Sequence, residues 1–278
     1  MMPKKYPEVD EVIKYIHQYL HEPLSVSELA RHAAYSKFHF TRIFKERMGL
    51  APQYYISAIR LQKAKDLLLC TDLSVRDIGL EIGQESLGTF TTRFTERVGV
   101  TPSQFRNSKK EVNNYLSMLQ DWTLSKSMST HTTSLAKASE GGKIQGTVQA
   151  DVPFSGFIFV GLFAKPIFEG FPLYGTMLSS LGDFRFTGVK PGAYYLMATS
   201  VSKKMQGIDI LFSYKSLQAG LKEPIIIEPY SPVPFQKMNL RSPRLDDPPI
   251  ISSLPYLIDR FLEKGKESIN RKEIISSF

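Results

Sequence analysis

Between positions 36 and 45 the chain places Ser36, Lys37, Phe38, Thr41, Arg42 and Lys45. These side chains suit a nucleic acid. A guanidinium donates two parallel hydrogen bonds to the edge of a guanine, and an aromatic ring packs on a thymine methyl. Ammonium and hydroxyl groups grip phosphate oxygens. Read as a helix, Phe38, Thr41, Arg42 and Lys45 fall three and four residues apart on one face. Phe40, Ile43, Phe44 and Arg47 fall on the other, with Arg47 its one polar member. One face calls for a core and the other faces outward. Arg42 is therefore the candidate base reader, with Phe38 and Thr41 beside it. Ser36, Lys37 and Lys45 are candidates for phosphate. The bland alternative for each is a solvated surface side chain.

The neighbouring elements must hold that helix in place. Ser36 stands where an N-cap belongs and Gly49 where a C-cap glycine belongs. Upstream, Leu24–Ala30 opens a short helix that ends near Ala33-Ala34-Tyr35, so the two helices form a helix-turn-helix. Pro7–Leu20 reads as a first helix, with Val9, Val12, Ile13, Ile16 and Leu20 on one face. His17 and His21 lie four apart on it but have no third ligand nearby, so no metal is expected. Pro52 opens a long helix, Gln53 to Cys70, which would reach roughly 27 Å at 1.5 Å per residue and act as a strut.

The pattern then recurs. Leu24-Ser25-Val26-Ser27-Glu28-Leu29 matches Leu73-Ser74-Val75-Arg76-Asp77-Ile78 at an offset of 49. Phe40, Phe44, Glu46, Arg47, Gly49 and Pro52 match Phe90, Phe94, Glu96, Arg97, Gly99 and Pro102 at an offset of 50. The extra residue falls near Gly83-Gln84. Two copies of one unit follow. The second copy offers Leu87, Thr89, Thr91 and Thr92 as candidate base contacts, and Ser86, Arg93 and Thr101 as candidate phosphate contacts. Pro102 would open a short closing helix.

Two helix-turn-helices joined by a long helix, with Ser-x-x-x-Phe-x-Arg-x-Phe-Lys at 36–45 and Gly-x-Thr-Pro-x-x-Phe-Arg at 99–106, resemble the AraC/XylS-type DNA-binding domain. The resemblance covers about Tyr6–Arg106. It implies an all-α reader that enters two successive major-groove faces of double-stranded DNA. Two departures stand out: Gln84 where the family has an aromatic, and Thr92-Arg93-Phe94-Thr95 where it has Arg-x-Phe-Lys. The second unit thus looks the weaker base reader, and Arg93 a phosphate contact.

Composition agrees with an anionic partner. The 278 residues are 42% hydrophobic, enough for packed cores, and carry a net charge of +8. Residues 1–110 hold +5 of that excess and the rest +3. The one cysteine, Cys70, excludes an intrachain disulfide and reads as a buried residue at a helix end. The longest apolar run, around Phe157–Ala164, is too short to span a membrane. A cytoplasmic chain without cofactor is expected.

From Lys143 the period changes to two. Lys143–Ala150 alternates, and Gly156–Leu162 alternates with apolar residues on both faces. Gly182–Ala198 reads as strand, tight turn, strand, and Pro224–Glu228 and Gln236–Leu240 as further strands. Their order resembles the transthyretin-like, carboxypeptidase-regulatory-like β-sandwich. The expected organisation is a helical domain over 6–110, then a helix and Ser/Thr-rich linker over 111–142. A mainly-β sandwich over 143–252 and a C-terminal helix and tail over 253–278 complete it. Phe168, Phe171 and Tyr174 lie in an aromatic, turn-rich segment that suits an effector pocket, an interface or a sandwich core.

The expected function is a sequence-specific transcription regulator, an activator that works with RNA polymerase. Its sandwich would sense a small-molecule effector or hold a homodimer. A carbohydrate- or peptide-binding sandwich with secondary DNA binding is the alternative. An enzyme such as an alkyl-transfer repair protein needs a dedicated reactive thiol, and no Pro-Cys-His context surrounds Cys70.

Overall fold

The computed structural model describes residues 6–84, 86–126, 141–229 and 231–263, leaving aside the side chains of 123–126. Among the described residues the helices come first: α1 Pro7–Gln18, α2 Val26–His32, α3 Lys37–Met48, α4 Pro52–Cys70, α5 Val75–Glu81, α6 Leu87–Val98 and α7 Pro102–Lys126. Strands follow: β1 Gly142–Ala150, β2 Gly156–Phe163, β3 Tyr174–Leu178, β4 Gly182–Val189, β5 Gly192–Ser202, β6 Gln218–Gly220, β7 Ile225–Ile227 and β8 Gln236–Leu240. A last helix, α8, covers 254–263. The all-α first part, the mainly-β second part and the final helix are the fold class that the two hydrophobic periods imply.

The repeat is visible in how the helices begin and end. Ser25, Ser36, Ser74 and Ser86 each accept a hydrogen bond at the start of a helix, from the amides of Glu28, His39, Asp77 and Thr89. Such caps satisfy amides that have no partner inside the helix. Gly49 and Gly99 close α3 and α6 in the left-handed conformation, with φ of 72° and 97°. The turn inside each unit also needs a left-handed residue. Gly83 takes it in the second unit at φ 72°, but Ala34 takes it in the first at φ 56°.

The strands form two sheets. One runs β4-β1-β8, with β1 and β8 parallel and β1 and β4 antiparallel. The other runs β3-β2-β5-β6, all antiparallel, with β7 also pairing β5. A core that includes Ile144, Val148, Phe184 and Phe186 from the first sheet and Ile158, Val160 and Leu162 from the second fills the space between them. A second core is continuous from α1 to α8. It takes in Phe40, Tyr55 and Phe94 from the helices and Phe157, Phe159 and Phe163 from β2. Strand β2 is therefore buried along both faces, which explains its two-sided apolar pattern. Helix α8 and the end of α7 cover its outer face: Phe261 stacks on Phe159 at 5.6 Å between ring centres and Trp122 on Phe157 at 6.2 Å.

Several expectations need correction. The helix opened by Pro102 is not short but runs 25 residues to Lys126. It therefore enters the stretch read as linker, of which 127–140 lie outside the described residues. It is long because its later turns have a sheet to pack against. Cys70 ends α4 as expected but is exposed rather than buried. The turn-rich aromatic segment leads directly into a strand, β3, which the alternation there is too short to reveal. The part of the expected C-terminal helix and tail beyond 263 lies outside the described residues.

Helix α4 sits in the middle of the large core and buries even Lys65, whose Nζ donates to the carbonyl of Ile250 at 3.0 Å. Burial pushes this ammonium down to about 8. The folded chain holds the proton less tightly than the unfolded chain, so unfolding takes up a proton between about pH 8 and the ordinary lysine value. The unfolding free energy from denaturant titrations should therefore rise across that window, by on the order of 3 kcal/mol. The rise should be absent in Lys65→Met. At Ala34, left-handed backbone disfavours a side chain, so Ala34→Gly should stabilise the chain by about 0.5 kcal/mol in the same assay.

Candidate nucleic-acid interface

Helix α3 points its predicted face outward. Phe38 is 89% exposed, an unusual position for a free-standing phenylalanine. Ser36, Lys37, Arg42 and Lys45 are exposed as well, and Thr41 is half-buried. Among the described residues neither Lys37 nor Lys45 has an ion-pair partner. Thr41 donates its hydroxyl to the carbonyl of Lys37 at 2.8 Å, which leaves an acceptor facing out. Arg42 is held by Glu46, one turn on, at 2.8 Å, and its other nitrogen lies 3.4 Å from His39 Nδ1. Glu46 also accepts from Tyr6 Oη at 2.6 Å, and this bond raises the tyrosine pKa. An exposed pair of this kind contributes about 0.3–0.5 kcal/mol, so Arg42 can exchange Glu46 for a base at little cost. Sequence reading passed over Glu46 and His39 as positioning groups. Their i+4 and i−3 spacing from Arg42 was the available signal.

Helix α6 repeats the arrangement with weaker chemistry. Leu87, Thr89, Thr92 and Arg93 are exposed and Thr91 half-buried. Ser86 Oγ accepts from both the amide and the hydroxyl of Thr89. Arg93 turns back to Gln84 Oε1 at 3.3 Å. The Gln84 that departs from the family pattern thus supports the displaced arginine. Thr101 shares reciprocal bonds with Gln104 as the cap of α7, at 3.2 and 2.9 Å.

The opposite ends of both recognition helices dock on the β region. The repeat-related Arg47 and Arg97 each meet a carboxylate there. Arg47 Nη2 lies 2.6 Å from Asp246 and 2.9 Å from Asp10 of α1. Arg97 Nε lies 2.6 Å from Glu169, its Nη1 donates to Ser57 at 3.0 Å, and its guanidinium stacks 4.4 Å from the Tyr54 ring centre. The Tyr54 hydroxyl also donates to Glu169. Burial first, and Glu169 second, raise its pKa and keep it a donor. The two cap glycines allow this close approach. A Cβ at Gly49 would stand 2.7 Å from Pro166, and one at Gly99 2.3 Å from the Tyr256 ring.

The three aromatics named as effector or interface residues do not converge. Phe168 is buried against Phe163. Phe171 packs on Phe261 and Tyr256. Tyr174 stacks on Tyr194 in the sandwich and accepts from the amide of Lys190. Phe168 also lines a cavity of about 370 Å³ between the last turn of α3 and strands β5 and β6, with Met48, Met197 and Ile250. His17 Nε2 lies 3.3 Å from the Tyr55 hydroxyl, and no cluster of metal-ligand type occurs among the described residues. None of the described helices is long and apolar enough to cross a membrane.

Residues 29–108 match the helix-turn-helix domain family. An uncharacterized HTH-type transcriptional regulator of Staphylococcus aureus is 33% identical over 104 residues, 37% of this chain and 14% of that protein. The uncharacterized HTH-type transcriptional regulator YbfP of Bacillus subtilis is 34% identical over 123 residues, 42% of each chain. The chain thus spans less than half the length of these relatives. Among solved structures, the DNA-binding domain of AdpA in complex with a target DNA is 29% identical. It covers 36% of this chain and 91% of that one, at a TM-score of 0.36.

The Arg97–Glu169 pair, 11% and 16% exposed at its side chains, gives a stability test. Glu169→Ala leaves a buried guanidinium without its carboxylate and should cost about 3 kcal/mol in urea unfolding. Glu8→Ala, at an exposed position of α1, should cost under about 0.5 kcal/mol.

Proposed function

We propose that the chain is a sequence-specific DNA-binding transcription regulator of the AraC/XylS type. Residues 6–110 are the reader and 143–252 a transthyretin-like sandwich that carries regulation. One observation supports this best: two capped helix-turn-helix units share one strut, and both present an outward polar face while their other ends are held. Helix α4 spans 19 residues, about 28 Å at 1.5 Å per residue. Recognition helices joined by such a strut suit successive major-groove faces about 34 Å apart on one side of a duplex.

In this reading Arg42 donates to guanine O6 and N7, Phe38 covers a thymine methyl and Thr41 accepts from a base or contacts a phosphate. Leu87, Thr89, Thr91 and Thr92 make weaker base contacts. Ser36, Lys37, Lys45, Ser86, Arg93 and Thr101 hold phosphates. The first helix carries most of the sequence reading, because the position of Arg42 is Thr92 in the second. Activation through RNA polymerase rests on the family resemblance alone, as does a homodimer. A small-molecule effector gains support from the cavity behind α3, where a ligand would press on the turn that carries Arg47.

Selection of genomic DNA fragments by the intact chain tests the proposal. Enrichment of one motif is expected. Retention no better than non-specific binding at physiological salt would falsify it. Within the motif, Arg42→Ala should relax one base position by about 1–3 kcal/mol, whereas Lys45→Ala should weaken all sequences about equally. Equal, sequence-independent losses for both variants would reverse these roles.

A further inference from the structure

Between α4, α6 and the turn at 165–171 lies an open groove of about 790 Å³. Four cations line it, Arg60, Arg93, Arg97 and Lys165, against two carboxylates, Glu96 and Glu169. The charges are unevenly matched. Glu169 is shared by Arg97 at 2.6 Å and Lys165 at 3.5 Å. Among the described residues Arg60 is fixed by neutral carbonyls, those of Leu20, Gly83 and Glu22, at 3.2, 3.4 and 2.7 Å. Arg93 is held by a neutral amide oxygen. Two guanidinium charges are thus positioned without a carboxylate partner among the described residues. Behind them, Arg97 is 9% exposed, and its buried Nη2 has no hydrogen-bond partner there.

The groove continues the outward face of the second unit. Arg93 stands one helical turn after Thr89 and Glu96 one turn after Thr92, so the groove wall and the recognition face share rows of α6. Gln53, Ser57 and Arg60, four and three residues apart, supply the strut's side. A duplex engaged by both recognition helices must pass along the strut. Between two successive major-groove contacts on one face, the minor groove and its two phosphate strands face the protein. A cationic groove at that place meets a dense row of negative charge, about one per 1.7 Å of duplex.

We infer that the β-sandwich is itself part of the DNA surface: Lys165 joins Arg60 and Arg93 in holding backbone phosphates between the two major-groove contacts. The inference rests on the proposed DNA-binding function and adds to it a contact from outside the helix-turn-helix domain. Lys165 is well placed for this. Its side chain is 54% exposed, and its Nζ is held over the Tyr54 ring, bonded to the tyrosine hydroxyl at 2.8 Å and 3.5 Å from Glu169, which Arg97 holds more closely. A third proton remains for an anion. The chemistry recognised is a phosphate group, and an oxyanion on a small molecule would satisfy it too. The groove is open and walled by the strut and the second unit, which favours the polymer.

The test uses the intact chain and the motif it selects. Affinity is measured against salt for wild type, Lys165→Gln, Arg93→Gln and the control Lys190→Gln, a lysine outside the groove. Each groove variant should bind about fivefold more weakly on every sequence and lower the log–log salt slope by about 0.9, while Lys190→Gln keeps the wild-type slope. Neutral methylphosphonates at the central phosphates should erase the difference between wild type and Lys165→Gln. An unchanged slope for Lys165→Gln, with motif binding intact in wild type, overturns the inference and leaves the proposed function standing. Loss of all motif preference in wild type defeats the function beneath it. Calorimetry with inorganic phosphate provides the other arm. Heat in wild type that vanishes in Lys165→Gln, together with no effect of methylphosphonates on DNA binding, would assign the groove to a free phosphorylated ligand and overturn the DNA contact.

Discussion

Strand β2 is buried on both faces, and most of the molecule follows from that constraint. Ile158, Val160 and Leu162 close the sandwich, while Phe157, Phe159 and Phe163 belong to the core that runs through the helices. A sheet with one apolar face can stand on its own when its other face is wet. Here the outer face carries phenylalanines, and leaving them in water would cost roughly 1.5–3 kcal/mol each. They are covered by α8, by the end of α7 and by the helical bundle. The helical and β parts therefore share one core and are not two beads on a string.

That shared core turns polar pairs into orienting devices. Arg47 and Arg97 occupy the same position in the two copies of the repeat, yet their carboxylates, Asp246 and Glu169, come from unrelated segments. The helix-turn-helix units are related by sequence, and the surface that receives them is not. Both recognition helices end against the β region at a left-handed glycine, and both leave their N-terminal ends open. The docking thus holds each helix by one end and frees the residues at the other. Such an arrangement limits how far the outward faces of α3 and α6 can move relative to each other, which under the proposed function reduces the conformational entropy that binding would otherwise remove.

Much of this was legible beforehand. The serine caps, the closing glycines and the apolar stripe of α3 depend on neighbours within four residues, so spacing reveals them. The 50-residue repeat exposed the second unit and singled out Arg42 by its mismatch with Thr92. The two-sided pattern of β2 announced a strand without a wet face, though not what would cover it. Less could be read where partners are remote. Nothing near Lys65 in sequence says that the carbonyl of Ile250, 185 residues away, receives its ammonium. Arg47 looked like an odd polar residue on a core face until Asp246 came beside it. Cys70 misled in the opposite direction, since a helix end can face either a core or solvent.

The sequence alone therefore determined the local elements, the duplication, the change from a 3.6-residue to a two-residue period, and which face of each recognition helix turns outward. These properties are set by backbone geometry and by side chains a few residues apart. Only the tertiary structure decided that the β region clasps the ends of α3 and α6, that Lys65 is interior and that Lys165 lines one groove with Arg60 and Arg93. Those facts depend on packing between segments more than seventy residues apart. Hydrophobic burial drives that packing but is non-directional, so the pattern of apolar residues says that surfaces must meet without saying which charges the meeting will bring together.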